Sequence, residues 1–60
     1  MKHLEAQATV AVAEMGRMPC TTFVDRFGGM TLYLLIEQNK VAIDVDDNVT
    51  VGPDCPGYEE

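Results

Sequence analysis

Arg26-Phe27-Gly28-Gly29-Met30-Thr31-Leu32-Tyr33-Leu34-Leu35-Ile36 is the stretch on which the fold turns. A diglycine stops one element there and a dense apolar run begins the next. Thr31 to Ile36 is almost wholly apolar, a pattern that predicts a strand buried on both faces. An unpaired edge this apolar would be an aggregation hazard, and pairing with a second copy across a two-fold axis removes it. Leu32, Tyr33, Leu34, Leu35 and Ile36 are therefore the expected dimerisation residues, and a homodimer is the expected assembly.

Upstream of the diglycine the residues allow two readings. In one, a short helix covers about 19–27, with Pro19 in its first turn, where a missing N–H costs nothing. That helix sets Phe23 and Phe27 four apart with Cys20 and Val24 flanking them, and puts Asp25 early enough to favour the helix dipole. In the other, Thr21-Thr22-Phe23-Val24 is strand material and Gly28-Gly29 is a two-residue hairpin turn that pairs 22–27 with 30–37.

Further toward the N-terminus, Leu4, Ala8, Ala11, Val12 and Met15 form one helical stripe within His3–Met15. Gly16 sits where a left-handed residue closes a helix. Toward the C-terminus, Glu37-Gln38-Asn39-Lys40 reads as a turn, Val41–Val45 as a strand, Asp46-Asp47-Asn48 as a turn and Val49-Thr50-Val51 as a short strand. Gly52-Pro53-Asp54-Cys55-Pro56-Gly57 is turn chemistry throughout. The expectation is a single small α+β domain over residues 1–52, with one or two short N-terminal helices packed on a small antiparallel sheet, and a loose acidic tail over 53–60.

The block Val12 to Tyr33 resembles the dimerisation region of the Mor family, the phage middle-operon transcription activators. The resemblance rests on Gly16-Arg17-Met18-Pro19, on Phe27-Gly28-Gly29 and on Leu32-Tyr33-Leu34. It tips 19–27 toward helix, and implies a dimer with intertwined helices and paired strands. It stops short of the family's DNA reader. Leu35 stands where the family has a proline before its helix-turn-helix, and residues 44–60 contain no base from which to build a recognition helix. Activator function is therefore not implied.

Charge points the same way. The formal net charge is −6. Residues 1–43 balance Glu5, Glu14, Asp25 and Glu37 against Lys2, Arg17, Arg26 and Lys40, so the whole excess lies in Asp44, Asp46, Asp47, Asp54, Glu59 and Glu60. Such a field repels phosphates and disfavours direct nucleic-acid binding. It suits a solvated surface, a phosphate-mimicking surface that occupies a nucleic-acid cleft, or a docking face for a basic protein. A chain of this length buries only about 60% of its unfolded surface, and small domains are commonly helped by a metal, a disulfide or a second subunit. Glu5 and Gln7 interrupt any signal-peptide core and no apolar run reaches a membrane span, so a cytoplasmic protein without a membrane partner is expected. Cys20 and Cys55 are then expected as free thiols.

No catalytic constellation is legible, and neither enzyme chemistry, a cofactor nor a metal is expected. Asp44, Asp46 and Asn48 match the first, third and fifth positions of a calcium loop. Val49 replaces the required glycine and Cys55 the bidentate glutamate, so a solvated turn is the better reading. Cys20 has no base to activate it, and Phe23, Phe27 and Tyr33 are expected in the core. The Gly28-Gly29 step lacks the lysine of a phosphate loop. The expected function is that of a small phage- or mobile-element-type interaction protein. It would inhibit or modulate a nucleic-acid-handling protein through its acidic residues. The alternative is a transcriptional modulator that heterodimerises with a full-length Mor-like regulator through its strand.

Overall fold

In the computed structural model, which describes residues 2–55, the chain builds three helices and a three-stranded sheet. The order is α1 (Lys2–Met15), β1 (Arg17–Pro19), α2 (Cys20–Phe27), α3 (Gly29–Glu37), β2 (Val41–Ile43) and β3 (Asn48–Val51). The α+β class expected from the sequence holds. Both pairings are antiparallel, in the spatial order β1-β3-β2.

The register sets Met18 opposite Val49, Val49 opposite Ile43, and Val51 opposite Val41. These residues share one face of the sheet, and the helices lie against that face. Arg17, Thr50 and Ala42 form a row on the other face, a division usual for an antiparallel sheet with one wet side. Ala8, Val12, Met18, Phe23, Leu35, Val41 and Val49 make the core, with Ala11, Cys20, Phe27, Leu32 and Val51 packed on it. The Phe23 and Phe27 rings meet tilted, centroids 5.0 Å apart, a favourable arrangement for two ring quadrupoles.

The joints follow local chemistry. Gly16 takes a φ of 82° and its N–H donates to the Val12 carbonyl at 2.8 Å, ending α1 as its position predicts. Asn39, with φ of 60°, closes α3 in a Schellman motif. Its own N–H donates to the Ile36 carbonyl and that of Lys40 to the Leu35 carbonyl, at 3.0 and 2.9 Å. Gly28 joins α2 directly to α3 at φ 94° and ψ 152°, a conformation essentially reserved for glycine. Gly52 is needed for a different reason. A Cβ there would lie 2.6 Å from the Asn39 carbonyl oxygen, because β3 leaves the sheet tightly against the α3–β2 connection.

Several expectations are corrected. Thr31–Ile36 is not a strand but most of α3. Its leucines and methionine are good helix formers, and Gly28 turns the chain so that Thr31 and Leu35 face the core. The 19–27 segment is helical, which disposes of the hairpin alternative. Pro19 precedes that helix, as its N-cap and the last residue of β1, and Asp25 lies beyond its first turn. The sheet gains its third strand from Arg17–Pro19, a segment too short to announce itself. In α1, Ala8 and Val12 are buried with Thr9, while Leu4 and Met15 at the ends of the stripe are exposed. Pro53–Cys55 does not start a loose tail. The Asp54 N–H donates to the Asn39 carbonyl at 2.9 Å and Cys55 is buried. Glu59 and Glu60, and the rest of the expected tail, lie outside the described residues.

Candidate protein-binding surfaces

The tip of the β2–β3 hairpin carries three of the acidic residues, and its geometry divides them by role. Asp44 turns inward. Its Oδ1 accepts the backbone N–H groups of Asp46 and Asn48, both at 2.9 Å. The Asp44 carbonyl accepts from the Asp47 N–H at 3.1 Å, and its N–H donates to the Asn48 carbonyl at 2.9 Å. Asp47 adopts φ of 66°, which aspartate tolerates better than most residues. The result is a β-turn over Asp44–Asp47 whose last residue is left-handed, in a three-residue hairpin loop. Hydrogen bonds from Asn48 and Asp46, with the Arg17 guanidinium nearby, hold the Asp44 carboxyl below the usual carboxylate range.

Arg17, on the outer row of the sheet, spans this tip. Its Nη2 lies 3.6 Å from Asp44 Oδ2 and 3.5 Å from Asp46 Oδ2. Asp46 and Asp47 are exposed, and beside them Val45 stands fully in solvent. One cation thus offsets part of the tip's charge, a pairing the sequence did not disclose because Arg17 lies 27 residues before Asp44.

The six acidic residues do not form one surface. Asp44, Asp46 and Asp47 gather at the hairpin tip, whereas Asp54 sits past the opposite end of β3, beside the α3–β2 connection. The Asp47 carbonyl has a structural duty as well, accepting the first N–H of α2 from Cys20 at 3.1 Å. Burial, then the carboxylates of Asp47 and Asp44, push the Cys20 thiol up, so it is a poor nucleophile at neutral pH. The calcium-loop positions meet a hairpin turn with Val49 in the core, and among the described residues no three such side chains are grouped so as to hold a metal ion.

The expected dimerisation residues also separate. Leu35 is buried in the chain's own core and the half-buried Leu32 packs on it, while Leu34 is half-buried. Tyr33 and Ile36 are exposed, together with Met30, which the sequence reading passed over. Tyr33 is consequently not a core aromatic. Met30, Tyr33 and Ile36 recur every three residues, but with apolar residues also at 32, 34 and 35 that spacing carries no signal in the sequence. A cleft of about 310 Å³ between the N-terminal part of α1 and the end of α3 is lined by Glu5, Ala6, Leu35, Gln38 and Lys40. Gln38 Nε2 reaches Glu5 Oε1 at 3.5 Å across it.

No described helix is long and apolar enough to cross a membrane. No protein-family model matches this chain, and no curated protein or solved structure matches it either.

Proposed function

We propose that this protein acts by binding another protein, as an inhibitor or modulator of a nucleic-acid-handling protein whose basic surface faces its acidic residues. The observation that carries the reading is the concentration of the negative charge. All of the net excess falls within residues 44–60, and two of those carboxylates, Asp46 and Asp47, project from a hairpin tip braced by Asp44. Carboxylates on a fixed turn meet a basic surface with less ordering cost than the same charges on a loose chain. Asp46 and Asp47 are then contact residues, Asp44 is a positioning residue, and Arg17 tempers the field. The phage or mobile-element character is what the resemblance of Val12–Tyr33 to the Mor dimerisation region implies.

A tagged chain used to capture proteins from a nuclease-treated bacterial lysate tests the reading. Recovery of a basic nucleic-acid enzyme, lost in high salt, supports it. With that partner in hand, the double change Asp46→Asn with Asp47→Asn should lower affinity by roughly tenfold, as for charges at an interface rim, and flatten its salt dependence. Unchanged affinity sinks the electrostatic mechanism.

The second reading, association with a full-length Mor-like regulator, now calls on a helix and not a strand. The exposed Met30, Tyr33 and Ile36 favour it. Recovery of a helix-turn-helix protein that withstands high salt would support it in place of the acidic mechanism.

A further inference from the structure

Helix α3 is apolar nearly all the way round, a composition expected of a helix enclosed on every side. In this chain it is enclosed on one side only. Thr31 and Leu35 face the core, while the opposite side presents Met30 at 70% exposure, Tyr33 at 57% and Ile36 at 39%. At 3.6 residues per turn these three fall on one face with Glu37, and Tyr33 stands nearly opposite the buried pair.

Charge specifies the occupant of that face. Arg26 lies in the last turn of α2, just before the Gly28 joint that leads into α3, and Glu37 is the last residue of α3. Both are exposed, and among the described residues neither forms an ion pair; the Arg26 guanidinium rests over the ring of Phe27, 5.2 Å from its centroid, a contact it keeps or exchanges for a carboxylate. Glu37 sits at the negative end of the helix dipole, where an acid is unfavourable. The opposite end of the helix has no side-chain cap. One ligand answers both ends at once: a second α3 running antiparallel.

We infer that two copies of this chain associate through α3 about a two-fold axis that passes near Tyr33. Met30 of each copy packs against Ile36 of the other, and the two tyrosines meet at the axis. Each Glu37 then faces the partner's Arg26 and the positive end of the partner's α3. A two-fold contact repeats every pairing, so both Arg26–Glu37 pairs form together. The inference is independent of the acidic-surface reading, since the hairpin tip contributes none of these residues.

The area is modest. Three apolar side chains and two charges fall short of the roughly 800 Å² per partner that a standard stable interface buries. Association in the micromolar range is therefore expected, with a clear dependence on salt.

Sedimentation of the full untagged chain from about 5 to 500 µM at low salt tests this, a range chosen to bracket a weak interface. The wild type should pass from monomer to dimer within it. Tyr33→Asp should stay monomeric throughout while its far-ultraviolet circular dichroism matches the wild type, because the residue is outside the core. Arg26→Glu and Glu37→Arg should each weaken association by about fivefold or more, and the double change R26E/E37R should recover most of the loss, because opposite charges again face one another. A wild type still monomeric at the highest concentration overturns the inference and leaves the face to a different protein. A dimer indifferent to Tyr33→Asp, or a double reversal weaker than either single one, overturns the antiparallel α3 geometry.

Discussion

The hairpin tip Asp44–Asn48 and helix α3, separated in sequence by a turn and β2, obey different rules. At the tip, local chemistry decides the structure: one carboxylate takes two backbone N–H groups and a left-handed aspartate completes the turn. In α3, local chemistry is ambiguous and the rest of the molecule decides. A six-residue apolar run fits a doubly buried strand as well as a helix. What distinguishes them is the glycine joint at Gly28 and the position of α1, and neither can be read from the run itself. The tip is thus specified by contacts within five residues, and α3 by contacts with distant elements.

The contrast can be broken most forcefully inside α3. Leu35→Ala should cost about 2–5 kcal/mol, as for other fully buried leucines. That is a large share of the roughly 3–9 kcal/mol expected for a chain this size. Tyr33→Ala should cost no more than about 0.5 kcal/mol, the scale of an exposed substitution. In a strand, residues 33 and 35 would share a face and the two changes would cost alike. Urea denaturation of both variants separates the alternatives.

The glycine joints come next. Gly28→Ala should destabilise by about 1–3 kcal/mol, because the conformation and not the space is at fault: nothing lies within 4 Å of a Cβ there. Gly52→Ala should cost a similar amount, about 1–3 kcal/mol, by the opposite cause, the Asn39 carbonyl in the way. Thermal denaturation gives both values. D-alanine, which accepts positive φ, should rescue position 28.

At the tip the expected effect is smaller and depends on pH. The folded state holds the Asp44 carboxyl below its ordinary value, so the stability it contributes is complete above the unfolded value of about 4. That contribution is lost as pH falls through the folded value. Asp44→Asn should accordingly lower the thermal midpoint at pH 7, and the deficit should shrink toward zero on acidification. A deficit that is constant with pH would mean that the carboxylate charge plays no part in the turn.

Arg17→Ala should have the least effect on stability, since its contacts with Asp44 and Asp46 are long and exposed, at 3.6 and 3.5 Å. Its consequence lies in binding. With Arg17 gone the tip is more negative, and affinity for a basic partner should rise, by an amount that salt suppresses.

The sequence discloses this molecule unevenly. Helix α1, the stop at Gly16, the turn at Glu37–Lys40 and the β2–β3 hairpin are all legible, because each depends on residues within one or two turns of chain. The α+β class follows from their order. The β1 strand is not legible: Arg17-Met18-Pro19 includes a proline and pairs with residues some 30 positions later, and no local pattern reports such a pairing. Nor is the α3 helix, for want of any period in a run that is apolar throughout. The acidic residues were visible by type, but their division was not. Asp44 bracing the turn, Asp46 beside Arg17 and Asp54 at the far end of β3 become distinct only once the hairpin is closed.

The Cα chemical shifts of Met30 to Glu37 test the account most directly. Unbroken positive deviations from random-coil values, with slow hydrogen exchange at Leu35 and Ile36, are the predicted result. They would place Tyr33 outward on a helix, where the proposed two-fold contact needs it. Negative deviations through Thr31–Ile36 would restore a strand and remove the helical face on which that association depends.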